Sequence, residues 1–262
     1  MGSAKVTSGA RARALAEALA FCALFGLLVA PLDVGVRVFS LVPPQWRFVA
    51  SAYVIAQISV VFCVSIASRD ADLAASLGLS REKLGRSIGL GVLAFLGVIG
   101  CAAGAAVALA ASHLTDEVFV VGRATTLAAL PADAFHVGSP DTRDVLAALA
   151  ALPPWAVLPI SLFVGFYEEL CFRGFLLGRL RTALGDGAAA GLVAVTFSSL
   201  VFALCHVYKG AVGVAGTFVL ALALGALAWR TRRITSSIVT HALVDAAAIF
   251  AAQLVARGIL IG

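Results

Sequence analysis

Six ionisable side chains sit inside apolar runs of this chain. Glu168, Glu169 and Arg173 share Phe163-Val164-Gly165-Phe166-Tyr167-Glu168-Glu169-Leu170-Cys171-Phe172-Arg173-Gly174-Phe175. His206 ends a second run, and His241 and Asp245 lie in a third. These residue types move protons or bind metal ions. Glu169 and Arg173 are four apart and meet on one helix face as an ion pair. Glu168 is rotated by about 100° from Glu169, so it faces elsewhere and is left unpaired, as a general base must be. Phe202 and His206 are also four apart, as are His241 and Asp245. Asp245 either holds the His241 imidazole and fixes its tautomer, or both face one ligand. Two chemistries fit, and both activate water. A divalent metal such as zinc takes its ligands from Glu168, His206, His241 and Asp245, with an open position for water. Without metal, Glu168 deprotonates water with help from His206, and His241 with Asp245 stabilises the oxyanion.

A charge at bilayer depth costs roughly 2.5–3.5 kcal/mol on insertion scales. Three in one run would cost on the order of 7–10 kcal/mol without partners. A polar interior must therefore receive them, and such residues mark a functional site by default. Bland readings exist for each feature alone. Glu169 with Arg173 can be structural glue, and a single His206 or His241 can be an interhelical hydrogen-bond partner. The gathering of all six in the C-terminal part of the chain favours a site.

The elements that must position these residues are membrane helices. Of 262 residues, 61% are hydrophobic and 13% charged, against about 25% charged in soluble domains. Mean hydropathy is +1.04. Alternating short segments of a β-barrel are absent, which leaves an all-α polytopic bundle. About seven spans are expected, with six to eight compatible, at 14–32, 48–68, 86–112, 155–178, 189–208, 211–229 and 235–256. Ser80 is a candidate N-cap for the third span. Gly85/Gly89 and Gly100/Gly104 in that span either permit close helix contact or reflect mere glycine abundance. Past Arg86 at its inside end, the third span carries no acidic, basic or histidine residue.

The chain divides into accessory N-terminal spans (1–112), a polar connection (113–154) and a core carrying the six residues (155–256). The connection contains His113 and His136, read as solvated loop residues. It also holds a short amphipathic helix from Asp141 to Leu152, opened by Ser139-Pro140 and stopped by Pro153-Pro154. Lys5, Arg11 and Arg13 before an apolar run resemble a signal peptide. No clean cleavage site follows the run, so a retained first span is expected. With the N-terminus inside, twelve lysines and arginines fall at inside ends and six at outside ends, a bias that supports this orientation. The net charge of +5 reads as that same excess, not as nucleic-acid binding. Cys22, Cys63, Cys101, Cys171 and Cys205 lie in apolar segments without a CxxC pair and read as small hydrophobes; Cys205 adjoins His206. On straight helices His206 lies roughly 12 Å from the midplane, far from Glu168, unless spans tilt or the fifth span breaks near Lys209-Gly210.

Glu168-Glu169-x-x-x-Arg173, then Phe202-x-x-x-His206, then His241-x-x-x-Asp245, resembles the three motifs of the CPBP family. That family comprises the CAAX-type and bacteriocin-processing intramembrane proteases, related to the type II CAAX prenyl endopeptidases. Phe172-Arg173-Gly174 and the approach Arg232-Arg233-Ile234-Thr235-Ser236-Ser237-Ile238 are similar too, and the resemblance covers about 155–250. It implies Glu168 as the catalytic base, with Glu169 and Arg173 in support. His206 and His241 are implied as catalytic or metal-binding, and position 245 completes the site. The family often has asparagine where this chain has Asp245. An ionised aspartate cannot donate to an oxyanion, so orienting His241 or binding metal suits it better. Other intramembrane protease signatures, H-E-x-x-H, G-x-S-G and G-x-G-D, are absent.

The function expected is hydrolysis of a peptide bond in a membrane-embedded or lipidated polypeptide, in a bacterial inner membrane, with the bilayer as a partner and no nucleic acid. The alternatives are a proton- or ion-coupled transporter and a non-proteolytic binding or immunity protein of the same fold. Convergence of Glu168, His206 and His241 on one cavity distinguishes the first. A polar path to both faces distinguishes a transporter.

Overall fold

The computed structural model describes residues 6–29, 42–111, 147–257 and 259. The helices are α1 (Ser8–Val29), α2 (Pro44–Ala67), α3 (Leu73–Ser76), α4 (Leu84–Ala111) and α5 (Pro154–Glu169). A π-helical stretch, Leu170–Leu176, joins α5 to α6 (Leu177–Leu184). Then come α7 (Ala188–Leu204), a 3-10 turn (Val207–Lys209), α8 (Gly210–Thr231) and α9 (Thr235–Ala256). No strand occurs among the described residues. The protein is a polytopic helical bundle. Five stretches are long and apolar enough to cross a membrane: Val49–Ala67, Leu84–Gly104, Pro154–Leu184, Gly213–Thr231 and Thr235–Leu254. The expected first span falls on α1 and the expected fifth on α7, an apolar helix of 17 residues.

Sequence chemistry sets several boundaries. Pro44 and Pro154 open α2 and α5 at positions where a missing N–H costs nothing. Asp72 accepts from Ala75 N at 3.0 Å and caps α3. Ser80 does not cap α4. Its Oγ accepts from Glu82 N at 3.2 Å in a preceding turn, and the helix begins at Leu84. Of the connection, 147–150 is helical and Gln253 Nε2 donates to Leu152 O at 2.9 Å. His113, His136 and the Ser139-Pro140 helix start lie outside the described residues.

Several of the basic residues assigned to inside ends are ion-paired. Arg179 bridges Glu17 of α1 (3.0 Å) and Asp70 after α2 (2.9 Å). Asp186 takes Arg181 and Arg232 at 2.9 and 3.0 Å, and Glu82 takes Arg233 at 3.0 Å. Such pairs contribute about 0–1 kcal/mol each, but they tie together the ends of six helices. Below this belt lies an aromatic core. The Phe172 ring meets Phe21, Phe25 and Phe202 edge-on at 5.4, 5.0 and 5.0 Å. Phe175 packs on Phe21 and Phe62 at 5.8 and 6.0 Å. Helix α1 is thereby part of the core.

Helix α4 packs on α9 through Gly91, where a Cβ would stand 2.7 Å from the Ser236 carbonyl oxygen. Ser236 and Thr240 donate to the Ser87 and Gly91 carbonyls, each at 2.9 Å. Gly85, Gly89, Gly100 and Gly104 have no neighbour there within 4 Å, so the close-contact reading of those pairs gives way to glycine abundance. The cysteine reading holds for Cys63 and Cys171, which are buried, and not for Cys101, which is exposed.

Candidate active site

The π-helical stretch follows directly after Glu169, and all seven of its residues are buried. Gly174 makes this packing possible. A Cβ there would lie 2.6 Å from the Leu77 carbonyl oxygen, so only glycine lets α3 approach. The widened turn reaches three neighbouring helices. The Phe172 carbonyl accepts from Leu177 N in the π register and from Ser198 Oγ of α7 at 3.2 Å. Arg173 Nη2 donates to Ala221 O of α8 at 3.2 Å, and its guanidinium lies 4.4 Å from the Phe202 ring centre. Glu169 reaches α9. π-Bulges occur disproportionately at functional sites.

Glu169 Oε1 accepts from Arg173 Nη1 at 2.7 Å and from His241 Nδ1 at 2.9 Å. The i,i+4 pairing read from the sequence is present, with both side chains almost wholly buried. Of the two readings of Asp245, the one in which it holds the His241 ring is corrected. Glu169, not Asp245, takes the Nδ1–H and orients the ring. His241 Nε2 then faces two carboxylates, Glu168 Oε2 and Asp245 Oδ2, each at 3.6 Å. These separations exceed a hydrogen bond and leave Asp245 on the cavity side of the ring.

Glu168 differs in part from expectation. Its Oε1 accepts from Tyr167 Oη at 2.9 Å, so it is not wholly without a partner. Its Oε2 is buried with no hydrogen bond among the described residues. Sequence reasoning missed Tyr167. The available signal was a hydroxyl immediately before a glutamate in an otherwise apolar run.

His206 reaches the same place because α7 ends early. The helix stops at Leu204, Cys205 caps it, and the 3-10 turn redirects the chain. The break falls before Lys209-Gly210, which removes the depth conflict of a straight fifth span. His206 Nδ1 donates to Phe202 O at 2.8 Å, so in the neutral ring Nε2 carries the lone pair. Phe202 stands between the imidazoles, with centroids 4.7 Å from His206 and 5.8 Å from His241.

Glu168, His206, His241 and Asp245 line one cavity of about 270 Å³, together with Tyr167, Phe172, Phe202 and Lys209. Glu169 and Arg173 stand behind this wall. Ser161, Thr217 and Lys209 are further polar lining residues that sequence reasoning did not select. Cys205 also lines the cavity, but its Sγ bonds back to Val201 O at 3.1 Å. Among the described residues no three His, Cys, Asp or Glu side chains are placed to hold one metal ion.

A family model described as type II CAAX prenyl endopeptidase Rce1-like matches residues 150–247. Those residues are similar to an Rce1-like domain. It runs from the turn before α5 into α9 and contains all six residues singled out in the sequence. Helices α1, α2 and α4 lie outside the Rce1-like match and pack around it. Comparison with curated proteins and with solved structures gives no match.

Proposed function

We propose that the chain is an intramembrane endopeptidase that hydrolyses a peptide bond of a membrane-associated or lipidated polypeptide, with Glu168 as the base. One observation carries this reading: Glu168 Oε2, buried and without a hydrogen bond, lines the cavity 3.6 Å from His241 Nε2. A water held between Glu168 and the lone pair of His206 gives its proton to Glu168 as its oxygen attacks the scissile carbonyl carbon. Tyr167 holds the other carboxylate oxygen, so Oε2 is the one aimed at the water. The carbonyl oxygen takes up negative charge and is stabilised by the His241 face of the cavity. Glu168 then returns the proton to the leaving amine as the C–N bond breaks. Glu169 and Arg173 are positioning residues that set the His241 ring. Asp245 flanks the His241 ring on the cavity side, 3.6 Å from Nε2, a place open to an ionised carboxylate.

No step runs through a metal ion, because among the described residues no three donors are placed to hold one. The metal-free route predicts that activity survives a chelator and dialysis; loss restored by zinc would overturn that route. The family model's prenyl endopeptidase description favours lipid-modified substrates. A transporter reading lacks support at the aromatic core. Between Glu169 and Arg179 the chain buries Phe172, Phe175 and Leu176 against Phe21 and Phe62.

The reading is tested by comparing membranes holding wild type with membranes holding Glu168→Ala or His206→Ala. Accumulation of the same uncleaved membrane polypeptide in both variants supports it. Membrane proteomes identical to wild type would sink it and leave a binding or immunity role.

A further inference from the structure

Lys209 is the one lysine or arginine among the described residues that line the cavity. Its placement is built by the chain around it. The 3-10 turn brings it back toward His206, with Lys209 N donating to His206 O at 2.9 Å. Its stem lies across Gly213 one turn into α8. A Cβ on Gly213 would stand 2.5 Å from Lys209 Cβ, so the missing side chain makes the room. Lys209 is half-buried and within electrostatic reach of Glu168 and His206. Most of the remaining wall is apolar, supplied by residues such as Val49, Ile55, Leu149, Ile160 and Ile249.

We propose that Lys209 is a specificity-determining residue that takes a carboxylate of the substrate polypeptide, close to the bond to be cut. The inference rests on the proteolytic reading above. In such a wall, a cation three residues from His206 discriminates among polypeptides by their charge. A 3-10 turn rises by about 2 Å per residue, and a lysine stem adds a similar reach. An extended peptide advances about 3.4 Å per residue, so the carboxylate stands no more than about three or four residues from the scissile bond. Its source is either the free C-terminus or an Asp or Glu side chain.

The test measures binding as well as cleavage. Three fluorescent prenylated peptides are added to the full-length protein in lipid vesicles: a free C-terminal acid, the matching amide, and an amide with an aspartate near its end. Lys209→Met weakens binding of the acid-bearing peptides about tenfold or more, raises KM in the same proportion and leaves kcat within a few-fold. It leaves the plain amide unchanged. Lys209→Arg restores most of the loss, and Gly213→Ala reproduces it by displacing the stem. Discrimination of acid from both amides identifies the terminal carboxylate; recovery in the aspartate peptide identifies a side chain. Equal effects of Lys209→Met on all three peptides would overturn the proposal and reduce Lys209 to a counter-charge for Glu168 and Asp245. Acid-selective binding without any cleavage would keep this inference and refute the proteolytic reading. Cleavage dependent on Glu168 but blind to carboxylates would do the reverse.

Discussion

Replacing Glu169 by methionine removes one carboxylate from beneath two donors. Arg173 is 4% exposed and His241 also 4%, so water cannot take the place of Glu169. The guanidinium keeps its bond to Ala221 O and its contact with the Phe202 ring, but loses its counter-ion. Breaking a buried pair from one side costs about 3–5 kcal/mol, and an orphaned imidazole N–H adds about 1–3 kcal/mol. Glu169→Met alone should therefore cost at least about 4 kcal/mol. Replacing Arg173 by methionine as well removes the stranded charge. The double variant then retains only the imidazole deficit, about 1–3 kcal/mol, and is more stable than the single one. The assay is thermal unfolding in detergent micelles, followed by tryptophan fluorescence, for wild type, both singles and the double. A Glu169→Met cost below about 1 kcal/mol, or a double variant less stable than Glu169→Met, would refute the pairing argument.

Three further outcomes follow from the same geometry. Gly174→Ala drives a Cβ to 2.6 Å from a backbone oxygen and should destabilise by about 1–3 kcal/mol, read as a lowered Tm with the loss of α3 protection in hydrogen exchange. Tyr167→Phe removes the donor to Glu168 Oε1. It should lower kcat by roughly ten- to a hundredfold, the equivalent of a charge-assisted hydrogen bond, without shifting Tm. Asp245→Asn should retain most activity, because the amide keeps the size and polarity of the cavity wall beside His241, whereas Asp245→Leu should lose it; steady-state cleavage rates distinguish the two.

The sequence made the candidate site's members legible because charge inside a span is costly, and six such residues gather in the C-terminal spans. It also made the Glu169–Arg173 contact legible, since i,i+4 spacing is local. What it left open depends on tertiary placement. Whether Glu169 or Asp245 orients His241 is decided by how α5 meets α9. That crossing depends on Gly165, where a Cβ would sit 3.1 Å from Ala242 N. The π register beyond Glu169 has no periodic signature, because all seven residues are buried and every face is apolar or paired. The early stop of α7 was hidden because Cys205 and Val207 continue the hydrophobic run. Lys209 read as a span-ending cation because its neighbour across the turn, Gly213, is three-dimensional information. In α4 the small-residue spacing misled. Gly91 makes the contact, and glycine spacing alone does not say which face meets α9.

The central claim is that Glu168 is the base that activates water. The direct measurement is the cleavage rate of a quenched prenylated peptide by purified protein in vesicles, for wild type and Glu168→Gln, with Tm recorded alongside. Glutamine keeps the shape and the Tyr167 contact but cannot take the proton. The account predicts a fall in kcat of about 10²–10⁴-fold with Tm and KM little changed. A Glu168→Gln protein that cleaves within a few-fold of wild type would contradict it.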